Sequence, residues 1–206
     1  MEDATGRVRR IYDREAANYD RGMEFFEWLL FGGGREWVCS RAHDEVLEVA
    51  CGTGRNLSFY ATVVRLTGIE LSPEMLNIAQ ERAGRMGMDV DLRLGDAHHL
   101  DFPDSSFDTV VFTLALCTIP DPILAVAEAR RVLRPGGQLL LLEHVRSPLL
   151  PVRMLQRVLE PLSTRFQADH LTREPLDYVL EHVFEVEAIE RSKLGIVERI
   201  SARKPE

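Results

Sequence analysis

The chain has 206 residues, 45% of them hydrophobic and 28% charged, with a formal net charge of −8. That length and balance suit one soluble domain with a substantial core, and the negative charge argues against nucleic acid as a partner, because phosphate backbones are held mainly by lysine and arginine. Cys39, Cys51 and Cys117 show no paired spacing, and no signal peptide or apolar run of bilayer length is present. A reduced, cytoplasmic protein with no metal ligand set is therefore expected.

In chain order, Arg7 to Asp20 carries helical spacing, with Val8, Ile11, Tyr12, Ala16 and Tyr19 near one face. Met23 to Phe31 is the most apolar segment and runs into Gly32, Gly33 and Gly34, where a hinge or loop is expected. Three readings fit it: a mobile lid over an apolar acceptor, a helix packed permanently on the core, or a membrane-surface contact.

Asp44 to Asn56 reads D-E-V-L-E-V-A-C-G-T-G-R-N. Val46, Leu47 and Val49 predict a buried strand, Cys51 to Gly54 a sharp turn, and Asn56 the start of a helix. Two glycines one residue apart, between strand and helix, let backbone approach a ligand closely. A dinucleotide loop would place a small residue at Leu57, and a Walker loop would end in G-K-[ST]. Neither pattern is present. Glu48 at the strand's end would repel a phosphate but attract a cation, as expected for S-adenosylmethionine with its ammonium and sulfonium.

Val63 to Leu71 predicts the second strand, ending in Glu70, with Ser72 as helix cap and Pro73 as first helical residue. An acid at that strand tip is placed to accept hydrogen bonds from ribose hydroxyls. Met75, one turn on, is readable as a surface under adenine or as core. Val90 to Leu94 and Asp108 to Thr113 predict the third and fourth strands, Asp121 to Leu133 a helix, and Gln138 to Val145 a leucine-rich fifth strand. Glu143 and His144 fall at the carboxyl end of that strand, where open α/β sheets bind ligands.

Leu149 to Phe166 reads as an amphipathic helix, with a solvated basic face or a phospholipid-surface face. Gln167 to Leu176 is irregular, with Thr172 and Pro175 starting a helix whose first turn holds Arg173 and Glu174. Phe184 to Arg191 and Ile196 to Lys204 predict a final antiparallel pair.

E-V-A-C-G-T-G at Glu48 to Gly54, G-I-E-L-S at Gly68 to Ser72, G-D-A at Gly95 to Ala97, F-D-T-V-V at Phe107 to Val111 and L-R-P-G-G at Leu133 to Gly137 resemble the class I S-adenosylmethionine-dependent methyltransferases. The resemblance is to their quinone, lipid and small-molecule branch, and it is looser toward the methyltransferase-like thiol methyltransferases. It implies a Rossmann-like α/β fold, with a seven-stranded mixed sheet, six strands parallel and the last antiparallel, and helices on both faces. One domain, 1–206, is expected, with 1–34 as a cap or lid and 147–180 as an acceptor-side insertion.

The implied cofactor contacts are Tyr19, Glu48, Ala50, Gly52, Gly54, Asn56, Glu70, Leu71, Met75, Asp96, Ala97, Thr113 and Leu114. Ala50 stands where the family pattern has glycine, and its methyl group is expected to require a negative φ. Tyr12, Phe26, Leu116, Cys117, His144 and His170 are the implied acceptor side. His144 and His170 are also candidate proton acceptors, since imidazole titrates near neutrality. A D/N-P-P-Y-like amine grip is missing after the fourth strand. The expected activity is in-line methyl transfer from S-adenosylmethionine to a small, largely apolar thiol, phenol, quinone or amine, leaving S-adenosylhomocysteine. A phospholipid head-group N-methyltransferase with peripheral membrane contact, a nicotinamide oxidoreductase and a silent S-adenosylmethionine-binding module are the alternatives.

Overall fold

A computed structural model describes residues 4–206. Its centre is a seven-stranded sheet in the order β3-β2-β1-β4-β5-β7-β6, formed by β1 (Glu45–Val49), β2 (Arg65–Glu70), β3 (Asp91–Leu94), β4 (Phe107–Thr113), β5 (Leu133–His144), β6 (Glu185–Ser192) and β7 (Val197–Arg203). The pairs β1 with β2, β2 with β3, β1 with β4 and β4 with β5 are parallel, while β7 runs antiparallel to both β5 and β6. Six strands therefore share one direction, as the sequence implies. The order reverses between β1 and β4, which opens a crevice beyond their carboxyl ends.

Alternation along the central strands builds two cores. Leu47, Val49, Val110, Phe112, Leu139 and Leu141 pack on one face with α4 (Pro122–Val132) and α6 (Pro175–Glu181). Val46, Val111, Leu140 and Leu142 pack on the other with α2 (Gly34–Cys39) and Ala83 of α3 (Pro73–Met86). Because successive side chains point to opposite faces, an unbroken Leu139–Leu142 run supplies both layers. Burying each such leucine contributes about 1.5–3 kcal/mol.

The amino-terminal helix α1 (Ala4–Phe26) is longer than its periodicity predicts and passes into a π-helical turn, Glu27–Phe31. It packs against α3 and against α5 (Leu150–Gln167). The aromatic run is not permanent core: Trp28 is 78% exposed, Phe25 and Phe26 lie outward too, and only Phe31 is buried. The three glycines do not act as one hinge. Gly33 turns the chain at φ 72°, whereas Gly34 begins α2 so close to β5 that a Cβ would lie 2.8 Å from the Leu142 side chain.

Several boundaries differ from expectation. After the glycine loop, Asn56 precedes only a single 3-10 turn, Leu57–Phe59, which ends where Tyr60 turns to extended backbone. Leu133 to Gly137 belongs to a bulged start of β5, not to a break before it. Arg173 and Glu174 precede α6, which begins at Pro175. Among the described residues, no helix is long and apolar enough to cross a membrane.

Candidate active site

The crevice at the strand reversal is walled by the residues that end each strand. From β1 come Glu48 and the turn Ala50–Thr53, from β2 Glu70, Leu71 and Ser72, from β3 Gly95–His98, and from β4 Thr113–Ala115 with Thr118–Pro120. Met75 forms part of the floor, and Thr5, Val8, Arg9, Tyr12 and Tyr19 of α1 close the top. The space between them is a partly enclosed cleft that opens to solvent.

Its electrostatics come from buried carboxylates. Glu70 Oε2 accepts from Gly52 N at 2.9 Å and Oε1 from Ser72 N at 2.8 Å, so the acid is held rigidly between two turns. Burial raises its pKa, against those backbone donors. Glu48 accepts from Asn56 Nδ2 at 2.9 Å, and burial lifts its pKa to about 7, opposed by the nearby Tyr60 hydroxyl and Arg35 guanidinium. Asn56 Nδ2 also donates to Thr113 Oγ1 at 2.9 Å, and its Oδ1 accepts from Arg35 Nη1 at 2.8 Å. The amide thus locks β1 to β4 beneath the crevice.

Three carboxylates at seven-residue intervals, Asp13 and Asp20 of α1 and Glu27 of the π-helical turn after it, tie this segment to the site. Asp13 accepts from Ser72 Oγ at 2.6 Å. Asp20 accepts from Thr53 Oγ1 at 2.6 Å and pairs with Arg82 and Arg55. Glu27 pairs with Arg55 at 2.6 Å and with Arg35 at 2.5 Å. Seven residues make about two helical turns, so these acids share one face. That spacing, together with Arg35, Arg55 and Thr53, is the signal in the sequence for a helix tied over the site.

Comparison with known proteins adds the family. Residues 47–141 match the model described as "Methyltransferase domain". A phosphatidylethanolamine N-methyltransferase of Cereibacter sphaeroides is 36% identical over 144 residues, covering 66% of this chain and 71% of that one. A demethylmenaquinone methyltransferase of Tropheryma whipplei is 32% identical over 194 residues, covering 90% and 80%. The chain belongs to the S-adenosylmethionine-dependent methyltransferases. In fold, the methyltransferase is similar to an S-adenosylmethionine-dependent methyltransferase of Thermotoga maritima, with a TM-score of 0.74 at 22% identity over 96% of this chain and 99% of that one. The oxidoreductase and silent-module readings fall away.

The crevice of the methyltransferase fits the family's cofactor. A Cβ built on Gly52 would meet nothing within 4 Å, so the turn leaves open space beside the buried Glu48 and Glu70. Carboxylates at these points suit a cationic, hydroxyl-bearing ligand and would repel a pyrophosphate. Tyr12, Tyr19, Glu48, Ala50, Gly52, Glu70, Leu71, Met75, Asp96, Ala97, Thr113 and Leu114 all line the space.

Other expected residues lie elsewhere. Gly54 is a packing glycine: a Cβ there would sit 2.9 Å from Leu57 Cδ1 and 3.2 Å from Ala79 Cα. Asn56 is wholly buried behind the wall, and Phe26 is 49% exposed on the outer side of α1. Leu116 points into the core, since the helical bend after β4 carries it away from the crevice. Cys117 is buried beside Asp169 and His144, and burial pushes its thiol pKa well up, opposite to what a thiolate nucleophile needs. His144 is engaged through Nε2 with Asp169 Oδ1 at 2.8 Å, and His170 faces Glu160 at 3.7 Å; neither lines the crevice. Glu143 is structural, accepting from Ala115 N at 2.9 Å and Leu116 N at 3.0 Å.

Ala50 corrects a further expectation. It adopts φ 57°, and Leu114 on the facing turn adopts φ 54°. Both residues carry a side chain in the left-handed region and both line the crevice, so some backbone strain lies at the site, as it does at six other non-glycine positions away from it among the described residues.

Proposed function

We infer that this methyltransferase transfers a methyl group to a small, largely apolar acceptor held against the α1 side of the crevice. The observation that carries this reading is the make-up of the crevice lining: carboxylates Glu48, Glu70 and Asp96 at the ends of β1 to β3, apolar Leu114 and Ile119 after β4, and Val8, Tyr12 and Tyr19 of α1 closing the top. Glu70 would hold the ribose hydroxyls, Glu48 the ammonium and Asp96 the adenine amino group, Met75 would line the adenine space, and the opening at Gly52 would leave room for the methionine end. The cofactor supplies a methyl group already activated on a sulfonium. The chain's own work is alignment and exclusion of water.

Tyr12 and Tyr19 stack edge-on, with ring centroids 6.2 Å apart, and burial raises both phenol pKa values. Their hydroxyls therefore stay protonated at neutral pH and shape the acceptor space as donors. With His144 and His170 turned elsewhere, the proton that a phenol, hydroquinone or protonated amine must lose on methylation goes to a group other than these two histidines. The similarity to a demethylmenaquinone methyltransferase over 90% of this chain supports a quinone-type acceptor. The higher identity to a phosphatidylethanolamine N-methyltransferase supports a lipid amine as the second reading.

The experiment is a screen of quinols, phenols, thiols, amines and phospholipid head groups with labelled methyl donor, beside calorimetric titration with S-adenosylmethionine, its demethylated product and NAD. Binding of the first two and label on an apolar acceptor are expected. Label confined to strongly polar acceptors overturns the acceptor assignment. Glu70→Ala is expected to weaken cofactor binding by about 1.5–3 kcal/mol through loss of charge-assisted hydrogen bonds.

A further inference from the structure

Helix α5 is amphipathic in the reverse sense for a helix on a soluble protein. At 100° per residue, Gln156, Glu160 and Ser163 form its inward stripe. Gln156 bonds Ser147 N at 2.8 Å, Val145 O at 2.9 Å and Leu171 O at 3.0 Å, Glu160 accepts from Thr172 at 2.5 Å, and Ser163 donates to Asp169 at 3.3 Å. The outward face carries Leu150, Met154, Leu155, Val158, Leu162 and Phe166, from 49% to 72% exposed, and no residue of the helix is buried. Of the two faces expected, solvated basic or phospholipid-surface, the outward one is mainly apolar. Arg157 and Arg165 stand within or beside it and are exposed. A contiguous apolar face of this kind marks an interaction surface.

We propose that α5 lies in the interfacial plane of an anionic lipid bilayer, apolar face inward, and that an acceptor dissolved in that bilayer reaches the crevice past α1. The charge decides the occupant. Arg157 and Arg165 make the exposed face locally basic on a chain of net charge −8, which suits anionic lipid. A two-fold contact between copies would bring these arginines, and two strongly negative bodies, together. The path follows from contacts on the inner side. Arg7 Nη2 of α1 donates to Thr164 O at 2.7 Å and Arg165 O at 3.0 Å, joining α5 to the helix that roofs the crevice. Phe25 and Phe26 at the end of α1, with Trp28 in the turn after it, make an exposed aromatic end, the residue type that settles at lipid–water boundaries. This inference rests on the apolar-acceptor reading.

The test is flotation of the full chain with vesicles of phosphatidylcholine alone and of phosphatidylcholine mixed with an equal amount of phosphatidylglycerol. Binding to the mixed vesicles is expected, at least about tenfold stronger than to the neutral ones. The double variants Leu155→Gln with Val158→Gln, and Arg157→Glu with Arg165→Glu, are each expected to lose it by a similar factor while keeping parental cofactor affinity. Equal binding by parent and variants overturns the proposal. So does a concentration-dependent dimer, seen by sedimentation, that the glutamine pair dissolves. Turnover of a short-tailed quinol in vesicle-free buffer separates the two readings. Turnover without vesicle binding overturns the docking alone, whereas vesicle binding with no apolar acceptor methylated upholds the docking and overturns the acceptor reading.

Discussion

Asp20 on α1 accepts a hydrogen bond from Thr53 Oγ1, in the glycine turn, at 2.6 Å. One carboxylate thereby couples the helix over the crevice to the loop beneath it, with Arg82 and Arg55 closing the pair electrostatically. Those partners hold the Asp20 pKa below its ordinary value even though burial opposes them.

Asp20→Ala is therefore expected to loosen α1 without unfolding the sheet. Hydrogen exchange along α1 should rise, and cofactor affinity should fall by about tenfold, the scale of one charge-assisted bond discounted for partial exposure. Raised salt should weaken the parent's cofactor binding and have less effect on the variant. Unchanged exchange in α1 would show that apolar contacts from Val8 and Ile11 hold the helix by themselves.

Glu48 makes stability depend on pH. Its folded pKa of about 7 lies above the ordinary 4.5, so the folded chain keeps a proton the unfolded chain has released. Stability from this group is full below the ordinary value and is lost as pH rises through about 7. Glu48→Gln still accepts from Asn56. It should therefore stabilise the cofactor-free protein by on the order of 3 kcal/mol at about pH 8, with the advantage shrinking toward about pH 5. Thermal melts at the two pH values check this, and a gain independent of pH would assign it to packing instead of charge.

Ala50→Gly removes a methyl group from a residue at φ 57°. Relief of the left-handed strain, partly offset by the freer unfolded chain, predicts a net gain of up to about 1 kcal/mol and a higher melting temperature. A loss of stability would mean that the contact of Ala50 with the neighbouring core outweighs the strain.

Gly52 and Gly54 are expected to behave differently when each is replaced by alanine. At Gly54 the new methyl group would press on Leu57 and the backbone of Ala79, costing about 1–3 kcal/mol from overpacking in addition to the strain at φ 76°. At Gly52 the added atom enters open space and meets only the strain of φ 58°, so stability should fall by about 1 kcal/mol and affinity for S-adenosylmethionine by more. Denaturant melts and calorimetry on the two variants distinguish the roles, and equal loss of stability at both positions would contradict the geometry.

Much of this protein is legible in local sequence, because strand and helix identity here rests on short-range patterns. The two-sided Leu139–Leu142 run, the Ser72-Pro73 helix start and the acid-tipped strand ending at Glu70 each announce their structure within a few residues, and the motifs around them announce the family. Side-chain direction beyond a strand end is different. Whether Leu116, Cys117 or His144 meets the crevice depends on how the chain bends after β4 and β5 and on partners distant in sequence, such as Asp169 for His144. The tertiary structure also decided that Gly54 packs on Ala79 while Gly52 opens to the cofactor space, since both glycines look alike to a motif. It decided most of all the orientation of α5. Periodicity reveals that a helix has an apolar stripe and a polar one, but which stripe faces the body is set by what the body offers. Here Val145 O, Leu171 O and Thr172 Oγ1 offer hydrogen bonds that Gln156 and Glu160 can satisfy, and the apolar stripe is left facing outward.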